Sequence, residues 1–70
     1  MRIIKEEDAH AVAKEGVVLA LTEKLYRKPR AETVAKEKCD GGEPLICEYI
    51  VKSKTGRDVK RYLPLALHKI

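Results

Sequence analysis

Seventy residues at 7.9 kDa are enough for a single domain, residues 1–70, and exclude a two-domain enzyme; at this length only about 60% of the unfolded surface can be buried. With 44% hydrophobic and 37% charged residues, and three tyrosines as the only aromatics, the chain can fold but has little apolar material to spare. The net charge of +4 is divided unevenly: residues 1–23 hold three cations and five anions, a net of −2, whereas residues 24–70 hold twelve cations and six anions, a net of +6.

A field of that sign favours an acidic partner such as nucleic acid. Asn, Gln, Trp and Phe are absent and Met1 is the sole methionine, while Lys and Glu are abundant. Avoidance of heat-labile side chains with Lys/Glu enrichment is the pattern of a thermophile protein. The longest apolar run, Val17 to Leu21, is far short of the roughly 20 residues a membrane span needs. No basic flank with an apolar secretory core is seen, so the expected location is the cytoplasm, away from membranes.

In chain order, Arg2-Ile3-Ile4 is a short β-prone start that can serve as a fourth strand. The stretch from Glu6 to Lys28 reads as one long helix. Glu6, Glu7 and Asp8 fill its first turn and Lys24, Arg27 and Lys28 its last, matching the helix dipole, and Pro29 reads as a stop. Val18, Leu21 and Leu25 make an apolar row that Val17 and Ala20 widen, with Gly16 as a weak point.

From Arg30 onward the pattern alternates, and three strands are expected: Ala31–Lys38, Leu45–Ser53 and Arg57–Leu65. Asp40-Gly41-Gly42-Glu43-Pro44 supplies the first turn and Ser53-Lys54-Thr55-Gly56 the second. The expected fold is therefore α+β: one long N-terminal helix packed on a three-stranded, or with Arg2–Ile4 four-stranded, antiparallel meander. A helix of about 23 residues would span ~34 Å and overhang strands of ~27 Å, and its surplus apolar surface points to a homodimer.

In that fold Cys39 and Cys47 flank a hairpin turn and lie close together. They are open to three readings: two buried thiols, a disulfide, or part of a zinc site completed from His10, His68, Glu37 or Glu48. A Glu15-Gly16 step on a helix, a strand ending in Cys39, a glycine turn, Cys47 and then Glu48-Tyr49-Ile50 resemble the C-terminal part of 4-vinyl reductase domains, over residues 15–51. That resemblance implies a small-ligand-binding, often dimeric fold in which Cys39 and Cys47 contribute to a zinc site. The chain departs from the family in length, in lacking the family's N-terminal half, and in the placing of Gly41 and Gly42 next to the first cysteine.

The second cluster is the basic hairpin formed by Lys52, Lys54, Arg57, Lys60 and Arg61, five cations against Asp58. Cations at a hairpin tip can follow phosphates, and Tyr49 and Tyr62 are candidates for base stacking. The same lysines and arginines would also serve simply to keep an exposed strand from aggregating. Catalytic groups are sparse. Ser53 sits in a turn with no local histidine, His10 lies one helical turn from Glu6, and no phosphate-binding glycine loop occurs. The sequence therefore points to a binding module and not to an enzyme, with nucleic acid as the partner of the basic hairpin. The alternative is a small-ligand- or metal-binding homodimer of the 4-vinyl reductase type.

Overall fold

A computed structural model describes residues 1–70. The chain runs through strand β1 (Arg2–Lys5), a 3₁₀ turn (Glu6–Asp8), helix α1 (Ala9–Ala13) and strand β2 (Gly16–Ala20). Helix α2 (Lys28–Lys38) and the long strands β3 (Glu43–Lys52) and β4 (Asp58–Lys69) follow. The four strands form one mixed sheet in the order β1-β3-β4-β2, with β1 parallel to β3 and the other two pairings antiparallel.

The long N-terminal helix and the antiparallel meander are therefore both corrected. The stretch Glu6–Lys28 contains a single turn of 3₁₀ helix, five residues of α-helix and a strand. Its acidic start does begin a helical segment, where the Asp8 carboxylate accepts the Lys5 backbone N–H at 3.3 Å. The helix ends before Gly16 because that glycine is needed elsewhere. It is buried against β4, and a Cβ there would collide with the His68 carbonyl oxygen and with Lys69 Cα. Val17, Val18 and Leu19 then alternate across the sheet, a geometry that suits β-branched side chains.

The segment Ala31–Lys38, expected as a strand, is helix α2. Pro29 does not stop a helix; it begins one. Arg27, the N-cap, is extended at φ −68° and ψ 156°, and Pro29 falls in the first turn, where a missing N–H costs nothing and the fixed φ is already helical. Ala31, Val34 and Ala35, at i, i+3 and i+4, make the buried stripe. The helix runs out at Cys39, and Asp40 and Gly41 take positive φ of 47° and 83° to turn the chain into β3.

The two long strands come close to expectation, and the turn between them is the tight one at residues 53–56. Gly56 has φ +82° there, and its N–H donates to the Ser53 carbonyl at 3.0 Å. Both faces of the sheet are covered, which accounts for the apolar residues on both sides of β3. On one face Ile4, Leu45, Cys47, Leu65 and Leu67 pack with Val12 of α1. On the other, Ile46 and Tyr62 pack with Ala31 and Ala35 of α2. Burying side chains of the size of Leu45 and Ile46 stabilises the chain by about 1.5–3 kcal/mol each.

Pro64 shapes the β2 edge. The Leu21 N–H donates to the Pro64 carbonyl at 3.0 Å, but Pro64 has no N–H to return, and the β2 ladder ends there. Pairing resumes at Tyr26, which exchanges two backbone hydrogen bonds with Tyr62, at 2.8 and 2.7 Å. At the opposite end of the sheet, Arg2 binds Glu15 at 2.8 Å and Glu43 at 3.1 Å, and Lys69 reaches Glu43 at 3.6 Å, tying β1, β3 and β4 to the chain entering β2.

Candidate nucleic-acid interface

The pairing registers make β3 and β4 longer than the sheet they belong to. β1 accompanies β3 only as far as Lys5↔Glu48, and the last partner along β4 is Tyr26, opposite Tyr62. Residues 49–61 therefore leave the body as a bare two-stranded arm, paired from Tyr49↔Arg61 to Lys52↔Asp58 and closed by the turn. At ~3.4 Å per residue the arm projects about 15–20 Å. The molecule is accordingly elongated, with extents of 43 × 24 × 19 Å.

All five predicted basic residues lie on this arm. Against Asp58 alone they give it a net charge of +4. They are not equivalent. Lys52 is paired with Asp58 at 2.6 Å, and Lys60 lies 4.0 Å from Glu48, so the lysines of one face are partly neutralised. Lys54 and Arg57 at the tip, and Arg61 on the opposite face, have no carboxylate within 4.0 Å. The turn holds the tip in shape, with the Arg57 N–H donating to Ser53 Oγ at 3.2 Å and the Ser53 N–H to the Arg57 carbonyl at 2.8 Å.

The structure adds residues that local spacing does not announce. Because Tyr26 pairs with Tyr62 in antiparallel register, the next residue, Arg27, comes level with Arg61, and Lys28 and Arg30 follow in the first turn of α2. Arg27, Lys28 and Arg30 are exposed and have no ion-pair partner, so the β4 side of the arm's root is cationic. The β3 side is the reverse. An open cleft of about 750 Å³ there is bordered by Glu6, Glu7 and Glu48 with Lys5, His10 and Tyr49. The arm thus has a basic edge and an acidic edge at its base.

The two tyrosines expected to stack on bases differ in place. Tyr62 is buried under α2 with Ala31, Ala35 and Ile46, and its hydroxyl donates to Glu48 Oε2 at 3.2 Å. Burial first, and the Glu48 charge second, raise its phenol above the ordinary tyrosine range. No base can reach its face. Tyr49 lies on the other side of the sheet, half-buried at the root of the arm, with its phenol also raised, mainly by burial.

Cys39 and Cys47 are not hairpin neighbours, because the strand that would have paired them is α2. Cys39 ends that helix, half-buried, with its Sγ 3.5 Å from the Lys36 carbonyl oxygen. Cys47 is buried in the centre of β3 on the α1 face, between Ile4 and Leu63 in register, and burial raises its thiol above the usual range. Both thiols are free, and no group of three or more His, Cys, Asp and Glu side chains converges where a metal ion would sit. No helix is long and apolar enough to cross a membrane. Comparison with protein-family models, with curated proteins and with solved structures finds no match to this chain.

Proposed function

We propose that the chain is a non-catalytic nucleic-acid-binding module that inserts its β3–β4 arm into a duplex groove. One observation carries this reading: residues 49–61 form an uncovered two-stranded ribbon of net charge +4 whose tip cations, Lys54 and Arg57, have no carboxylate partner. A two-stranded ribbon matches the width of the major groove of B-form DNA, about 12 Å. Lys54 and Arg57 then face phosphates, and Arg61, Arg27 and Lys28 extend the contact along the β4 edge. Glu6, Glu7 and Asp8 repel phosphate from the β3 edge, which fixes the side from which a duplex approaches.

The contacts are to charge and shape, and the recognition is accordingly tolerant of sequence. The test is fluorescence anisotropy with labelled DNA and RNA duplexes across a salt series. Binding should weaken linearly on a log–log plot with a slope corresponding to roughly three to five neutralised phosphates. The double reversal Lys54→Glu/Arg57→Glu should lower affinity about 100-fold at ~0.1 M salt, with the thermal midpoint unchanged. Salt-independent binding, or a double variant that binds as well as the parent, rejects the reading.

A further inference from the structure

We infer that the chain pairs with a second copy of itself through the outer edge of β2, antiparallel about a two-fold axis at Val18. The two edges of the sheet are unlike. β1 is bracketed by Arg2 and Lys5, charges of the kind that keep an edge from pairing. β2 reads Gly-Val-Val-Leu-Ala, with no charge and no proline, and has a neighbour on one side only.

Its hydrogen-bonding groups are set in phase by a contact already described. The Leu21 N–H donates inward to Pro64, and antiparallel ladders alternate bonded and non-bonded pairs. Val17 and Leu19 therefore turn their N–H and C=O groups toward β4, and Gly16, Val18 and Ala20 turn theirs outward.

A two-fold at Val18 sets those outward groups against one another: Val18 opposite the partner's Val18, and Gly16 opposite the partner's Ala20. The same register places Val17 opposite the partner's Leu19 as a non-bonded pair, the geometry in which facing side chains come closest. Val17 and Leu19 are 51% and 47% exposed in the single chain, and both lie on the α2 side of the sheet. The helix packs over β3 and β4, leaving that flank of β2 open. Backbone phase and apolar pairing thus both fit a second copy in one register. The resulting sheet has eight strands in the order β1-β3-β4-β2-β2-β4-β3-β1. This pairing requires no ligand and stands apart from the nucleic-acid reading.

Sedimentation equilibrium of the full chain tests it. The parent should show twice the 7.9 kDa chain mass. Amide exchange at Val18 and Ala20 should slow as protein concentration rises. Val17→Lys/Leu19→Lys sets lysines against lysines and should weaken the dimer at least about tenfold, a change of 1.4 kcal/mol. Ala20→Pro deletes an outward N–H while leaving the ladder to β4 intact, and should also give monomers whose circular dichroism matches the parent. A parent that stays monomeric at millimolar concentration, a dimer that survives both variants, or open-ended aggregation in place of a dimer overturns the proposal.

Discussion

The body of the sheet and the arm that leaves it are built from the same two strands, yet different forces hold them. In the body, Leu45, Ile46 and Leu67 are fully buried between α1 and α2, and every strand has a helix above or below it. In the arm, Ile50 is 65% exposed, and beyond Tyr49 at its root no residue joins either core cluster. What holds the arm is its own ladder, the Gly56 turn and the exposed Lys52–Asp58 pair, and an ion pair of that kind is worth at most about 1 kcal/mol. Stability is concentrated in one half of each strand and charge in the other, so substitutions can be made to act on either one alone.

The largest effect should come from Ile46→Ala, which empties the α2 face and should cost about 2–5 kcal/mol in denaturant unfolding. Val59→Ala, at the half-buried position opposite Val51 in the arm, should cost less than about 1 kcal/mol. Equal costs would mean that the arm is part of the cooperative core. The charge reversal at Lys54 and Arg57 probes the same division from the other side, by changing affinity without changing the midpoint. Next in size is Gly16→Ala. The added methyl meets backbone atoms, which cannot swing away, and β2 must move off β4 at a cost of about 1–3 kcal/mol. Calorimetry should show the loss in unfolding while binding by the distant arm persists.

The smallest effect concerns acid. The Arg2 guanidinium, chiefly through its hydrogen bond, holds the Glu15 carboxyl below the usual carboxylate range. A carboxyl with a lowered folded-state pKa binds fewer protons folded than unfolded. Its contribution is therefore present above the ordinary Glu value of about 4.3 and fades as pH falls through the lowered one. Glu15→Gln should flatten the acid limb of a stability–pH curve slightly and leave the neutral region parallel to the parent.

The arm was legible because its signals are local. Alternation through Leu45–Ser53 and Arg57–Leu65, a glycine at the turn and five named cations need no knowledge of the rest of the chain. The N-terminal half was misread where one residue type serves two ends of a helix. Pro29 after Lys24, Arg27 and Lys28 looks like a terminus, yet proline is equally at home in a first turn. The apolar run Val17 to Leu21 suits a helix stripe and a strand alike, and only the need for Gly16 to touch His68, more than fifty residues later, decides between them. Ala31, Val34 and Ala35 carry helical spacing, but in alanines that is easily taken for alternation. Arg27 joined the basic edge through the Tyr26–Tyr62 pairing, which no spacing within the sequence reveals.

The parallel pairing of β1 with β3 has a consequence for how the chain acquires its shape. Arg2 must find Leu45, so β1 waits for a partner that leaves the ribosome some forty residues after it. The β3–β4 hairpin closes a short loop on its own and is ready early, whereas β1 must close a long one at greater entropic cost. β1, 43 residues from its partners, and β2, 45 to 53 residues from its own, are thus both seated after the hairpin, and until β1 docks, Ile4 is missing from the α1-side core and one flank of β3 stands open.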